Sequence, residues 1–238
     1  MSVFVLKIIA CIAMLIDHFG AAIILPALGE PWEFGVYMLM RDIGRIAFPI
    51  YAYLIAQGCV HTKNIGKYLL RLGLLAIISE PFFDMAFWGG SIDFLNNTNV
   101  FYTLFLGAAA IAIHQNARKI FTNGFGDFIS IFPLAITMIV AWWLSTDYAH
   151  FGVCIIFLIY ILNPETRMGR SIALIIGIAV LYYDNISFLI FSSAAVVLVA
   201  LYNGKLGPNN NVIKWGFYFF YPAHIAVLIA ARAFFYSN

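Results

Sequence analysis

Phe4-Val5-Leu6-Lys7-Ile8-Ile9-Ala10-Cys11-Ile12-Ala13-Met14-Leu15-Ile16-Asp17-His18-Phe19-Gly20-Ala21-Ala22-Ile23-Ile24-Leu25 is an apolar run interrupted by only three ionisable side chains. Crossing a bilayer takes about 20 such residues, so this stretch is long enough to span. Ile8-Ile9-Ala10-Cys11 superficially matches a lipoprotein cleavage box. Only three apolar residues separate Lys7 from Cys11, too few for the apolar region of a signal peptide.

The whole chain shares this character. Of its 238 residues 63% are hydrophobic, 17% aromatic and only 10% charged, with a mean hydropathy of +0.93. A soluble domain carries about 25% charged residues, so this chain lacks the polar surface to face water all round. The expected fold is all-α, a polytopic transmembrane helical bundle forming one integral membrane domain over 1–238. A net charge of +2 with no Lys/Arg run excludes a nucleic-acid partner. Cys11, Cys59 and Cys154 lie singly in apolar runs, against disulfides or zinc, and no metal is expected. Asn96-Asn97-Thr98 and Asn185-Ile186-Ser187 match glycosylation sequons, which are short and frequent by chance.

Apolar stretches run over 4–25, 43–61, 67–88, 99–114, 129–144, 149–162, 171–183, 188–202 and 214–236, an expected count of about nine, with eight to ten allowed. With nine spans, Lys7, Lys63, Lys67, Arg71, Arg118, Lys119, Arg167, Arg170, Lys205 and Lys214 fall on one side. Arg41, Arg45 and Arg232 fall on the other, together with Glu30, Glu33, Asp42, Asp84, Asp93, Asp147 and Asp184. Ten of 13 basic residues on one side place the N-terminus in the cytoplasm of a multi-pass cell-membrane protein.

Ionisable residues inside a span cost a few kcal/mol and by default mark a functional site. Asp17 and His18 are neighbours and point about 100° apart, so each needs a partner elsewhere. Asp17 shares a face with the small residues Ala10, Ala13 and Gly20 and calls for a cation across a close helix contact. Arg45, one turn before Pro49, can reach it; the alternative is a snorkelling arginine at the interface. Glu80 and Asp84 lie one turn apart beside Pro81, which frees the carbonyl of Ile77. Asp84 is expected at the outer surface, which leaves Glu80 as the stronger candidate. Asn99, Thr103 and Gly107 form a narrow polar stripe that interhelical hydrogen bonds alone would explain. His224 falls mid-membrane just after Pro222, with Arg232 two turns beyond. Packing alone remains the other reading of Asp17, His18 and His224.

Taken in order, Leu6-Lys7-Ile8-Ile9-Ala10 to Asp17-His18-Phe19-Gly20, Ile43-Gly44-Arg45-Ile46-Ala47-Phe48-Pro49-Ile50, Tyr68-Leu69-Leu70-Arg71-Leu72, Ser79-Glu80-Pro81-Phe82 and Phe220-Tyr221-Pro222-Ala223-His224 resemble the TraX family over nearly the whole chain. That family is named for the conjugation protein that acetylates the N-terminus of F-type pilin, and it is more distantly similar to the acyltransferase-3 group. The resemblance implies acetyl transfer from acetyl-CoA, as co-substrate, to an amine, either a peptide N-terminus or a small molecule. It makes His18, Asp17, Glu80 and His224 the candidate catalytic residues, with either histidine as the base. Arg45, Asn99, Thr103, Tyr221 and Arg232 are then expected to meet substrate. Lys63, Lys67, Arg71, Arg118 and Lys119, on the inner side, are expected to hold the donor's phosphates.

A proton-coupled transporter would use the same buried Asp, Glu and His. No inverted repeat is visible in its favour. A purely structural assembly factor would need no buried acids, and an intramembrane metalloprotease is disfavoured by the absence of HExxH.

Overall fold

The computed structural model describes residues 1–120, 131–162 and 166–236, and every regular element among them is helical. The helices are α1 (Val3–Phe19), α2 (Pro31–Gly44), α3 (Ala47–His61), α4 (Ile65–Phe87), α5 (Val100–Ile120), α6 (Phe132–Trp143), α7 (Ala149–Ile161), α8 (Arg167–Leu181), α9 (Ile186–Ala200) and α10 (Asn211–Tyr236). A π-helical turn, Gly20–Ile24, and one short turn, Leu25–Ala27, prolong α1.

Four segments are long and apolar enough to cross a membrane: Val3–Ala27, Pro31–His61, Val100–Ile120 and Asn211–Phe235. Phe132–Trp143, Ala149–Ile161 and Ile186–Ala200 are apolar but shorter. The third expected span, now α4, is long enough but carries Lys67, Arg71, Glu80 and Asp84. Residues 129–130 of the fifth expected span lie outside the described residues.

The second expected span, 43–61, begins too late: helix already starts at Pro31. Pro31 takes the first helical position, where its missing N–H costs nothing, and the Glu33 carboxylate accepts from the backbone N–H of Gly29 (2.7 Å) and Glu30 (2.9 Å). A turn at Arg45 and Ile46 then separates α2 from α3.

The chain divides into two compact units, the first comprising 1–51, 79–92 and 182–238, the second 52–78 and 93–181, with boundaries inside α3 and α4.

In the first unit, α1 packs against α2 and α10, and α2 also packs against α9. Helices α1 and α10 run parallel, since their contacts follow the same order along both. Phe4 meets Phe217 edge-on at 5.8 Å, His18 meets His224, and Ala22 and Ile23 cluster with Leu228. Ahead of these contacts, the N–H groups of Val3 and Phe4 donate to the carbonyls of Lys205 and Leu206, both at 3.0 Å. Gly207 lies against Ser2 at φ +73, where a Cβ would come within 2.6 Å of the Ser2 hydroxyl. The segments carrying Lys7 and Lys205, which charge alternation assigns to one side, are thus adjacent.

At the opposite end of α10, Arg232 forks onto the carbonyls of Met85 and Ala86, each at 2.8 Å. These belong to the last turn of α4, whose carbonyls lack intrahelical partners. The residue expected to meet substrate therefore caps a helix. Arg232→Ala is expected to cost about 1–2 kcal/mol, the worth of charge-assisted bonds at a part-exposed site. A lowered unfolding midpoint checks this, and Arg232→Lys should restore only part of it, because an ammonium has no planar fork.

In the second unit, α7 is sandwiched between α5 and α8 and also packs against α6. Adjacent side chains of α7 seat glycines on opposite flanks, Ile156 against Gly107 of α5 and Ile155 against Gly177 of α8. Asn99 and Thr103, expected to meet substrate, have partners within this unit. Asn99 Nδ2 donates to the Ala76 carbonyl (2.8 Å) and its Oδ1 accepts from Phe101 N–H (2.9 Å). The Thr103 hydroxyl bonds Thr146 Oγ1 (2.9 Å) and the Asp147 carbonyl. These contacts belong to the interhelical hydrogen-bonding alternative.

Both sequons are structural as well. Asn96 bonds Asp93 and Thr98 is wholly buried, while Asn185 caps α9 and Ser187 donates to the buried Asp42 (2.7 Å).

Candidate active site

The polar centre of the first unit is assembled on α1, α2 and α10. Asp17 and His18 sit near the end of α1, just before the π turn, a local widening often found at functional sites. Their side chains diverge. Asp17 meets two guanidinium groups from α2: Arg41 Nη1 lies 2.8 Å from Oδ2 and Arg45 Nη2 lies 3.1 Å from Oδ1. Arg41 and Arg45 reach the same carboxylate because residues four apart share a helix face.

The approach of α1 to α2 depends on Gly44, where a Cβ would lie 2.3 Å from Asp17 Oδ1. Gly44→Ala is therefore expected to push α2 off the carboxylate at an overpacking cost of about 1–3 kcal/mol. Unfolding in denaturant measures it, and a variant as stable as the parent would show that the helices do not meet so closely.

Arg45 is deeply buried rather than snorkelling. Its Nε donates to the Arg41 carbonyl (3.1 Å) and its guanidinium lies 4.8 Å from the Phe188 ring centroid. Arg41 is more open, with about a quarter (27%) of its side chain accessible against 10% for Arg45. Asp42, on the next face of α2, accepts from Ser187. The two carboxylates and two guanidiniums of this stretch balance in formal charge.

His18 turns instead to α10. Its Nδ1 lies 2.7 Å from His224 Nε2, and the rings are 11° from parallel with centroids 5.0 Å apart, the geometry of an in-line bond between nearly coplanar imidazoles. His224 Nδ1 lies 2.8 Å from the Phe220 carbonyl one turn earlier. A carbonyl only accepts, so His224 Nδ1 carries a hydrogen and, in the neutral ring, Nε2 is the acceptor. His18 Nδ1 must then donate, which leaves the lone pair of the neutral His18 ring on Nε2. The hydrogen bonds thus assign both tautomers, and the sequence alone left the two histidines equivalent. Phe87, Tyr221 and Phe220 enclose the pair, with centroids 5.2 Å (Phe87) and 5.8 Å (Tyr221) from His18 and 4.7 Å (Phe220) from His224.

Glu80 and Asp84 are buried, at 0% and 1% exposure, which corrects the expectation that Asp84 lies at the outer surface. The Asp84 carbonyl accepts from Trp88 and Gly90, closing the end of α4 in a turn with Gly89 and Gly90 at positive φ. Phe87 is two turns beyond Glu80, so the face of α4 that touches His18 also carries Glu80, about 10 Å farther along the helix. The candidate catalytic residues Asp17, His18, Glu80 and His224 thus all belong to the first unit.

Lys63, Lys67, Arg71, Arg118 and Lys119 all belong to the second unit and are exposed. They share one end of it, where Gln115 bonds the Cys59 carbonyl (3.4 Å) and the Tyr68 ring packs on Gly58. Arg118 also lines an apolar cleft of about 450 Å³ together with His114, a buried histidine set edge-on to Phe157.

Sequence reasoning missed Arg41, Gly44 and Ser187. The signal for the first was present, since Arg41 and Arg45 are four residues apart, but the late start given to the span turned Arg41 into a loop charge. Ser187 carried no signal, because only the packing of α9 on α2 brings it to Asp42.

The fold and site together define an all-helical membrane protein with a polar centre of an aspartate held by two arginines beside a hydrogen-bonded pair of histidines. The chain belongs to the TraX family: the family model described as TraX protein matches residues 2–232. It is 31% identical over 255 aligned residues to the probable fimbrial assembly protein FimC, serogroup H1, of Dichelobacter nodosus, an alignment covering 98% of this chain and 96% of that one. No solved structure matches.

Proposed function

We propose that this protein is a membrane-embedded acyltransferase that moves an acetyl group from cytoplasmic acetyl-CoA to an amine, a pilin-like or other peptide N-terminus, at the outer side of the cell membrane. Membership of the TraX family and the fimbrial assembly role in a relative's name support a pilin-related membrane function. The observation that carries the chemistry is the chain of hydrogen bonds from the Phe220 carbonyl through His224 to His18. On this reading His18 Nε2 is the proton acceptor.

An amine must lose a proton as it attacks a carbonyl. His18 Nε2 takes that proton, the amine nitrogen bonds the acyl carbon, the carbon–sulfur bond breaks, and the proton passes to the leaving thiolate. Asp17, fixed by Arg41 and Arg45, stabilises the imidazolium formed on the way. Lys63, Lys67, Arg71, Arg118 and Lys119 are the residues assigned to the donor's phosphates, and neutralising them should raise the donor's KM with little change in kcat.

The test is thiol release from acetyl-CoA by the purified protein in nanodiscs, with a mixture of free-amine peptides as acceptor. Acceptor-dependent release supports the reading. Silence with every acyl-CoA from a folded protein overturns it. Proton flux into vesicles would then be measured, because buried Asp17 and Glu80, with Pro81 and Pro222 inside α4 and α10, also suit a proton-coupled transporter.

A further inference from the structure

Helices α5 and α7 of the second unit run parallel. Thr103 meets Asp147 just ahead of α7, Gly107 meets Ile156 and His114 meets Phe157, in the same order along both. The end of α5 that carries Arg118 and the end of α7 at Ile161 therefore face one side, which charge alternation assigns to the cytoplasm. The first turn of α6 joins them there, and the three helices line the cleft of about 450 Å³. A volume of this size falls within the range of about 300–1,000 Å³ typical of ligand sites. Helix α7 contributes Cys154, Phe157, Leu158 and Ile161, whose spacing of three and four makes one continuous apolar stripe. Helix α5 contributes His114 and, one turn nearer its end, Arg118. Arg118 and its neighbour Lys119 are exposed, and α5, α6 and α7 contain no acidic residue.

We propose that this cleft seats an anionic glycerophospholipid of the inner leaflet, with its phosphate on Arg118, its ester linkages at the depth of His114 and one acyl chain along the α7 stripe. A guanidinium at the mouth of an apolar cleft is complementary to an amphiphile that carries an anion at one end, and its planar fork matches a phosphate. His114 and Arg118 are four residues apart, about 6 Å along the helix, which is the order of the separation between the phosphate and an ester carbonyl in a glycerolipid. The α7 wall offers no strong hydrogen-bonding side chain. A ligand with amides along its length, such as the pantetheine arm of an acyl-CoA, would leave them unpaired there, whereas a hydrocarbon chain has none to satisfy. The assignment does not depend on the acyl-transfer reading. It gives Arg118 a second role, and the experiment keeps the two roles apart.

The full-length protein, in nanodiscs of phosphatidylcholine, is irradiated with a trace of phosphatidylglycerol carrying a diazirine on one acyl chain, and adducts are located by peptide mass spectrometry. They are expected to concentrate on residues 154–161. Their yield should exceed that of the matching phosphatidylcholine probe by about fivefold, the worth of one basic side chain at a lipid headgroup. Arg118→Gln should abolish this preference. Arg167→Gln, which removes a charge assigned to the same side but not lining the cleft, should leave it unchanged. Leu158→Trp, which fills the cleft, should remove the adducts of both probes. Equal yields from the two probes, a preference that survives Arg118→Gln, adducts that survive Leu158→Trp, or adducts spread evenly over every lipid-facing helix each overturn the seat. Selective displacement by acetyl-CoA would assign the cleft to the donor and also overturn it, as would cross-links from residues 154–161 to a second copy of the chain. None of these readouts involves turnover, so failure of the lipid seat leaves the acyl-transfer reading to its own test.

Discussion

Asp17→Ala is expected to destabilise the protein by about 3–5 kcal/mol, because it leaves two guanidiniums, one of them deeply buried, without their counter-charge. Against a total stability of about 5–15 kcal/mol, that removes a large share of what holds the protein folded. The cost arises less from the bond lost than from the charge left behind. Arg45 cannot snorkel out, since its Nε is bonded to the Arg41 carbonyl and its plane is held over Phe188. It follows that Asp17→Ala combined with Arg45→Met should be more stable than Asp17→Ala alone, because an apolar side chain of similar volume carries no desolvation cost. Denaturant unfolding of the single and double variants measures the coupling. Strict additivity would mean that the pair is not coupled in the membrane, and the contact of Arg45 Nη2 with Asp17 Oδ1 would then be without energetic consequence.

His18→Ala is expected to lower acceptor-dependent thiol release by about 10²–10⁴-fold, the usual contribution of a positioned general base. The protein should still fold, because the α1–α10 contact is also held by Phe4 with Phe217 and by Ala22 and Ile23 with Leu228. His224→Ala should cause a smaller loss of a different kind. It removes the acceptor that holds the hydrogen on His18 Nδ1, so the proton of His18 is free to settle on either nitrogen and the basic Nε2 form becomes a fraction of the population. Comparison of kcat across pH separates the two. His18→Ala should abolish the rise with pH that a titrating base produces, whereas His224→Ala should displace it. If His224→Ala proved the more damaging, the assignment of the base to His18 would be reversed.

Much of this was legible in the chain. The π turn and the short loops aside, the expected apolar runs correspond to helices because each hydrophobic stretch has only one way to satisfy its backbone in lipid. The demand of Asp17 for a cation, and the reach of Arg45, were also readable, since a lone carboxylate within a span has few options. Three features were hidden. The early start of α2 depends on Pro31 and Glu33, local capping chemistry that a hydropathy window averages away. The burial of Asp84 depends on tertiary cover over the end of α4, to which Arg232 of α10 contributes by capping. The partners of Asn99 and Thr103 depend on tertiary packing, which sets them against the Ala76 carbonyl and the Thr146 hydroxyl.

Composition and order along the chain were enough to define a membrane-embedded helical protein with its ionisable residues at a few depths, because the cost of burying polar groups in hydrocarbon acts on every residue regardless of its neighbours. They could not decide which charges meet or which nitrogen holds a proton. Those depend on the rotation of one helix against another: α1 packs with Asp17 on Gly44 of α2 and His18 toward α10, and only that rotation sets Phe220, His224 and His18 in line and leaves a single basic nitrogen.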